Sequence, residues 1–280
     1  HIVSTNLNPV TISDTIIQGG CPALADCANV STSAPLLGSL GNYGGFTETI
    51  PLLSGSPAID AGNDAFCPAT DQRGVARPQG VHCDMGAYEA GNFIVTKLVD
   101  TNDGICDSDC SLREAIQATS DGGTVTFSPS LSGQTITLSA TLVINRDLTI
   151  DGSTLASKIS VSGNHSVGVF EIASGATVGL NSLIISNGRA TERDGRGIMG
   201  GGITNFGNLT ITHSAITNNV ADQTLSGNGG GIHNLGQLTI TNSIIANNTA
   251  YYGGGIMNLG YLARIMNSTI SGNVAVEGAG

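Results

Sequence analysis

The sequence predicts an all-β fold in which the chain winds into a parallel β-helix, also called a β-solenoid. Three observations predict it: a motif repeated near the end of the chain, short apolar stretches with a period of two residues, and 40 glycines among 280 residues. Apolar residues make up 40% of the chain, which is the composition of a folded protein rather than a disordered one. We therefore expect short strands that stack on their own copies.

The repeated motif begins with Gly-Gly-Gly-Ile and occurs three times. It starts at Gly200, Gly229 and Gly253, so its periods are 29 and 24 residues. Each copy holds three short apolar strands separated by Gly and Asn, without the spacing of an amphipathic helix. Such strands are unstable alone, but rungs stacked about 4.8 Å apart would pair every strand with its copies above and below.

The alignment of the three copies predicts which side chains meet inside the solenoid. The extra length of the first copy predicts a loop at 222–228, and the charged segment 189–196 predicts another. Asparagines between the strands suit left-handed turns and can form ladders along the stack. The expected internal columns are Leu209, Leu238 and Leu262, and Ile211, Ile240 and Ile265.

Upstream of these copies the chain predicts less regular rungs and one helix. The helical pattern covers 111–119, where Ser111 and Glu114 form a capping box. Because the end of a solenoid exposes unpaired strands, we interpret residues 93–127 as a cap over the rungs that follow. The predicted upstream strands are 135–138, 142–144, 148–150, 159–161, 169–172 and 183–185.

Six cysteines lie in three neighbouring pairs, which predicts three disulfides, although six cysteines allow 15 connectivities. Metal binding is the alternative interpretation, but no pair has the C-x-x-C spacing and His82 is a lone nearby candidate. Disulfides imply an oxidising compartment, so we expect an extracellular or cell-surface location. The expected pairs are Cys21 with Cys27, Cys67 with Cys83, and Cys106 with Cys110.

The charge balance bears on the expected partners. Only 11% of the residues are charged, and the net charge is −11. An acidic chain lacks the Lys and Arg clusters that bind nucleic acid or an anionic membrane surface. No apolar run reaches the ~18 residues that a membrane-spanning helix needs. We therefore expect neither nucleic acid nor a membrane span.

Two signatures in the chain resemble those of a known family. The first is Cys110-Ser-Leu-Arg-Glu-Ala-Ile116, followed by the Gly-Gly-Gly-Ile copies. The second comprises Gly55-Ser-Pro-Ala-Ile-Asp-Ala-Gly62, Thr70-Asp-Gln-Arg-Gly74 and Cys83-Asp-Met-Gly-Ala-Tyr-Glu89. Together they resemble large bacterial surface proteins, distantly similar to the chlamydial polymorphic outer-membrane proteins. The resemblance implies right-handed parallel β-helices, secretion and a surface or matrix role, and it fixes no activity.

In that family the first of these signatures opens a β-helix and the second closes it, so we call them the opening and the closing signature. The order in this chain is different, because the closing signature at 35–90 precedes the opening signature at 93–127. We interpret 1–92 as the last rungs and C-terminal cap of one module. Residues 93–127 would then be the N-terminal cap of the next module, and 128–280 its rungs, open at the C-terminal end. This interpretation predicts a head-to-tail array of copies, with an assembly junction formed by His1, Ile2, Gly278 and Gly280.

Charged residues in the closing signature have two interpretations. They could form an active-site cluster, or a paired network that fixes an irregular cap, and the second fits the surrounding Pro, Gly and Cys. The predicted structural cap network is Asp60, Asp71, Arg73, Arg77, Asp84 and Glu89.

The stretch that follows the closing signature is acidic. Its oxygen-bearing side chains are spaced loosely like those of a calcium-binding loop, but it lacks the Glu that ends an EF-hand loop. The alternative is an acidic turn closed by the third cysteine pair. Calcium is therefore the one cofactor that the sequence suggests. Its candidate ligands are Asp100, Asn102, Asp103, Asp107 and Asp109.

Catalytic residues are not predicted. Between Gly200 and Gly280 the only acids are Asp222 and Glu277, and Arg264 is the only Lys or Arg, whereas glycoside hydrolysis needs paired carboxylates. His213 and His233 lack partners on their rungs, so we expect surface positions for them. Tyr251 and Tyr252 could bind sugar, although packing roles are favoured. We expect a structural subunit or a covalent repeat of an extracellular filament or surface fibre. The alternatives are a surface adhesin or carbohydrate-binding stalk and a glycan-cleaving enzyme.

Overall fold

The computed structural model describes residues 10–23, 25–38, 40–41, 46–52, 56–79, 82–103, 106, 109–119, 121–190, 199–222 and 227–277. The predicted parallel β-solenoid is confirmed: the described residues form 24 strands, one α-helix and two short 3-10 helices. The chain forms two compact units. One comprises His1–Phe93 with Thr119–Thr124, and the other comprises Ile94–Ala118 with Val125–Gly280.

The first unit contains two strands that pair in parallel. These are β1 (Val10–Ile16) and β2 (Ala25–Ser31), and Ile12 lies opposite Cys27. A 3-10 helix follows at Asp64–Phe66. A small apolar core lies in the closing signature and is formed by Leu52, Ala58, Met85, Tyr88 and Ala90.

The second unit contains the rungs of the solenoid. Strand β3 (Asn92–Val95) begins at the end of the first unit, and β4 (Gly123–Phe127) also straddles the division. A second 3-10 helix spans Pro129–Leu131. The following strands are β5 (Thr135–Thr137), β6 (Leu142–Ile144), β7 (Leu148–Asp151), β8 (Ile159–Ser162), β9 (Phe170–Ile172), β10 (Thr177–Asn181), β11 (Leu183–Ser186) and β12 (Arg189–Ala190).

The three Gly-Gly-Gly-Ile copies contribute the remaining strands. The first two copies form β13 (Ile203–Asn205), β14 (Asn208–Thr212), β15 (Ala215–Thr217), β16 (Val220–Ala221), β17 (Ile232–Asn234), β18 (Gln237–Thr241), β19 (Ile244–Ala246) and β20 (Thr249–Tyr252). The third copy forms β21 (Ile256–Asn258), β22 (Leu262–Met266), β23 (Thr269–Ser271) and β24 (Val274–Glu277). We call these four strands together the last rung.

Each of the three Gly-Gly-Gly-Ile copies has four strands rather than the three that we predicted, whereas the upstream rungs β5–β7 and β8–β10 have three. The stacked strands form sheets of the orders β22-β18-β14-β10-β7-β4-β3, β23-β19-β15-β11-β8-β5, β12-β16-β20-β24 and β21-β17-β13-β9-β6. The fourth strand of a rung is as short as two residues, too short for a period of two to show. It buries a column of alanines, Ala190, Ala221 and Ala250.

The side-chain columns follow the predicted register with one exception. Ile211, Ile240 and Ile265 lie opposite one another, as do Leu209 and Leu238. The prediction for Leu262 was wrong, because Leu262 lies opposite Gln237 and Ala263 takes the place beside Leu238. From Gly236 to Ser243 the chain advances 7 residues, but from Gly260 to Ser268 it advances 8, so the third copy holds one extra residue before its inward Ile.

In each of the three Gly-Gly-Gly-Ile copies, a single left-handed residue forms the corner between the second and third strands. The corner after β14 is His213, with φ 49°, and the corners of the next two rungs are Asn242 and Asn267. A hydroxyl follows each corner and donates to the carbonyl two residues earlier, as Ser214 does to Thr212 at 2.8 Å. Asparagine accepts this conformation readily because its short amide can hydrogen-bond locally.

Buried asparagines form a second regular feature, which we call the Asn ladder. Asn219, Asn248 and Asn273 occupy equivalent places in three rungs. The Nδ2 group of Asn219 donates to Oδ1 of Asn248 at 2.9 Å, and that of Asn248 donates to Oδ1 of Asn273 at 3.0 Å. These amides satisfy backbone groups at the turns where the strands leave them unpaired.

The predicted helix and disulfides are confirmed. Helix α1 spans Leu112–Ala118. Its capping box is formed, because the Ser111 N–H donates to Glu114 Oε2 at 2.7 Å and the Glu114 N–H donates to Ser111 Oγ at 3.1 Å. The three disulfides join Cys21 to Cys27, Cys67 to Cys83, and Cys106 to Cys110.

Candidate functional site

Asp71 occupies the centre of the predicted cap network. Its carboxylate forms an ion pair with Arg73 at 2.6 Å and accepts the backbone N–H groups of Arg73, Val75 and Glu89. Burial opposes ionisation of this carboxyl, but these hydrogen bonds outweigh it and lower the pKa of Asp71. The guanidinium of Arg73 also lies 3.5 Å from the ring centroid of Tyr88. The pair therefore fixes the Thr-Asp-Gln-Arg-Gly turn.

A second part of the network surrounds Arg77. Its Nε lies 3.6 Å from Glu89 Oε2, and its two Nη groups donate to the carbonyls of Asp84 and Gly86. The carboxylate of Glu89, which is fully buried, also accepts the N–H groups of Gln79 and Asp84 at 2.8 and 2.9 Å. Arg77 and Glu89 thus bind the backbone of the closing signature to itself.

Asp84 and Asp60 are the remaining two residues of the predicted cap network. Asp84 accepts the N–H groups of Asp60 and Ala90 at 2.7 and 2.5 Å, and burial raises the pKa of Asp84 to about 7. Asp60, which has φ 54°, accepts the N–H of His82 at 3.1 Å. The structure therefore brings all six predicted residues into one segment. Most of the hydrogen bonds that these side chains make end on backbone groups, which suits a role in fixing loops.

One polar pair in this segment was missed by sequence reasoning. His82 Nδ1 lies 2.8 Å from Asp64 Oδ2, so this histidine has a carboxylate partner. The hydrogen bond to Asp64 raises the pKa of His82, and the same bond lowers the pKa of Asp64. The nearest sequence signal was the Asn63-Asp64 pair, where Asn63 caps the 3-10 helix.

The candidate calcium ligands lie in separate interactions. Asp100 forms a bidentate ion pair with Arg113 at 2.8 Å for both contacts, and Asp109 pairs with Lys97 at 3.1 Å. Asp103 donates its backbone N–H to Glu114 at 3.1 Å, while Asp107 lies outside the described residues. Within the described ranges no group of three or more His, Cys, Asp or Glu residues could hold a metal ion. Calcium at Asp100, Asn102 and their neighbours stays a prediction.

The side chains on the rungs have mostly packing roles. Tyr251 and Tyr252 touch edge to face, and their hydroxyls donate to the two carboxylate oxygens of Glu277 at 3.0 and 2.9 Å. His213 is exposed, as predicted, and contacts Asn242. The surface position predicted for His233 was wrong, because its side chain is only 3% exposed. Burial lowers the pKa of His233 to about 4, so this residue is neutral at pH 7.

A cleft in the first unit was not predicted. Its volume is about 810 Å³, and apolar side chains such as Leu37, Ile50 and Leu52 line it. Glu48 and Gln72 lie at the same cleft, and the buried hydroxyl of Thr49 has no hydrogen-bond partner in the described part of the chain. Apolar residues at two-residue intervals, such as Ile50 and Leu52, were the only sequence signal.

The last rung leaves apolar side chains in contact with solvent. Ile265 and Ile270 are 41% and 48% exposed, whereas Ile240 and Ile245, which lie opposite them one rung earlier, are fully buried. The contrast arises because described residues cover only one side of the last rung. An uncovered end of this kind exposes both apolar area and unpaired strand edges.

The predicted assembly junction lies outside the described residues, since His1, Ile2, Gly278 and Gly280 all fall there. No helix in the described ranges has the length and hydrophobicity needed to cross a bilayer. The three disulfides are compatible with a non-cytoplasmic location. Comparisons of the chain with protein-family models, with curated proteins and with solved structures give no match.

Proposed function

We propose that this protein is a structural unit of an extracellular filament or surface fibre, in which copies associate head to tail by stacking their solenoids. The observation that carries the proposal is the exposure of Ile265 and Ile270 directly beside their buried counterparts. Each rung within the chain covers the one before it through parallel strand pairing and aliphatic contact. A second copy that added one more rung would make the same contacts again.

The chemistry of the rungs supports a structural role. Glu277 accepts two tyrosine hydroxyls, and the charged side chains of the closing signature fix backbone loops. The proposal requires no catalytic group and no cofactor. Heterologous contacts generate open fibres when the rotation between successive copies does not close a ring, and we propose an open array of this kind.

Sedimentation velocity tests the proposal over a range of protein concentrations, with electron microscopy of the same samples. We expect the average mass to rise with concentration and the particles to be linear. Replacing Ile270 by Glu should weaken association by at least about tenfold, because it places a charge on the surface that must lose water.

Thr269→Glu is the matched control, since Thr269 is the adjacent, outward-facing residue of β23 and is also exposed. It should leave association within about threefold of the original chain. Circular dichroism checks that both variants keep their strands. A chain that stays monomeric at the highest concentration, or equal losses in both variants, would contradict the proposal.

A further inference from the structure

The free edge of β1 has the same local structure as the rung corners of the second unit. Asp14 interrupts this strand with φ 51°, close to the 49° of His213 and the 48° of Asn267. The next residue, Thr15, donates its hydroxyl to the carbonyl of Ser13 at 2.7 Å. Ser268 donates in the same way to Met266 at 2.8 Å. The backbone and the hydroxyl therefore repeat one arrangement in both units.

The contact between neighbouring corners is also repeated. The side chain of Asn29, the corner residue of β2, donates to Asp14 Oδ1 at 2.7 Å. The side chain of Asn242 contacts that of His213, the corner before it, at 3.2 Å. Both pairs join a corner to the corner of the preceding rung. Strands β1 and β2 therefore stack in the same sense as the rungs.

Both edges lack a neighbour in the part of the chain that the structure describes. There, β1 pairs only with β2, whereas β22 and β23 pair only with β18 and β19. Strand β1 precedes its neighbour in the chain, and β22 follows its own. Within its own unit, β1 can therefore take a parallel neighbour on the side of a preceding rung, and β22 can take one on the side of a following rung.

We propose that the last rung of one copy binds β1 of a second copy in a single register, in which Asn267 lies beside Asp14 of the second copy. This inference rests on the proposed function and names the contact surface. Aligning the left-handed residues places Ile265 beside Ile12 of the second copy and Ser268 beside Thr15 of the second copy. The outward-facing Arg264 then lies beside Thr11 of the second copy. Inward residues thus meet inward residues.

A hydrogen-bond ladder supports this register independently. The N–H of Ser214 donates to Ser243 Oγ, and the N–H of Ser243 donates to Ser268 Oγ, each at 3.1 Å. The ladder stops at Ser268, whose N–H has no such acceptor among the described residues. In the proposed register this N–H meets the hydroxyl of Thr15 in the second copy, which already has its donor bond to Ser13.

Cysteine cross-linking tests the register with mixtures of single variants. All six native cysteines are in disulfides, so each variant carries one free thiol. A mixture of Arg264→Cys and Thr11→Cys should give a disulfide dimer under mild oxidation, at twice the 28.2 kDa of one chain on a non-reducing gel. Stacked residues about 4.8 Å apart suit a disulfide.

The matched control is the mixture of Arg264→Cys and Ser13→Cys, which lies two residues out of register. It should cross-link at least about tenfold less, because two residues of strand add about 6.6 Å of separation along the strand. The mixture of Met266→Cys and Ser13→Cys returns to the proposed register and should cross-link as well as the first pair.

A charge exchange gives a second test that leaves both corners intact. Asn267→Asp places two carboxylates on adjacent rungs and should weaken association about five- to tenfold. Adding Asp14→Asn should restore it, since Asn and Asp both tolerate the left-handed region. Association with equal cross-linking in and out of register, or without this rescue, overturns the register but leaves the filament proposal standing. Monomers at every concentration overturn both.

Discussion

Arg77 and Glu89 show what single buried charges do in this protein. Their side chains are 4% and 0% exposed, and both also bond to backbone groups of the closing signature. Burying an ion pair costs several kcal/mol in lost hydration, which the attraction between the two charges offsets only when geometry is good. The pair therefore contributes more to choosing one loop conformation than to the free energy of unfolding.

His233 makes the stability of the second unit depend on pH. It lies between Thr204 and Met257 in adjacent rungs, and its folded pKa is about 4, against 6.5 for a free side chain. The unfolded chain therefore binds the proton first as the pH falls. Stability is present above pH 6.5 and is lost as the pH falls toward 4, by up to about 3 kcal/mol from this residue.

The measurement is urea denaturation at pH 7, 5.5 and 4, with His233→Met as the comparison because the next rung already carries Met257. The variant should lose less stability than the original chain over this range, since carboxyl groups titrate in both. If the original chain and the variant lose equal stability between pH 7 and pH 4, protonation of the His233 imidazole does not destabilise the folded state.

At the scale of the strand and turn, the Asn ladder should be a main source of stability. Asn248 Oδ1 accepts the N–H and Nδ2 groups of Asn219, and its own Nδ2 donates to the carbonyl of Ile216. Asn248→Ala leaves these buried groups unpaired and should cost about 2–4 kcal/mol in the free energy of unfolding.

Asn208→Ala is the control for the ladder variant, because Asn208 is exposed and makes one long contact, 3.4 Å, with Thr177. It should change stability by less than about 0.5 kcal/mol. Chemical denaturation of the original chain and of the two variants gives the three free energies of unfolding to compare. Equal values for the two variants would mean that water replaces the ladder at little cost.

Strands of three to five residues were predictable wherever two or more apolar residues alternate. β10 escaped prediction because Gly179 interrupts its apolar pattern, and its pairing with β7 and β14 on either side fixes it as a strand. The shift at Leu262 escaped for a related reason. One inserted residue leaves the apolar sequence intact, and the rung beneath decides which residue faces inward.

The candidate sites were predictable in residue type more than in geometry. Asp71 and Arg73 stand two residues apart, and their pairing follows from a tight turn. The burial of His233 could not be foreseen, because its neighbours in sequence are those of any rung and its environment comes from other parts of the chain.

The whole molecule carries a net charge of −11, so copies in an array repel one another. The contacts proposed between them are apolar and backbone in character. Raising NaCl from 0.02 M to 0.5 M should therefore increase the average mass in sedimentation, because salt screens repulsion while leaving aliphatic contact in place. An array that dissolves in salt would instead be held by ion pairs between copies.

The pairing of rungs also has a mechanical consequence. Bonds between rungs run along the stacking direction, so tension in that direction would strip coils one by one from an end. Between Ile232 and Ile256, which occupy the same place in successive rungs, the chain advances 24 residues. At about 3.3–3.6 Å per extended residue, this coil would release roughly 80 Å of slack, and the 29-residue coil from Ile203 to Ile232 about 100 Å. A fibre built this way would yield in discrete steps of unequal length and absorb work before it ruptured.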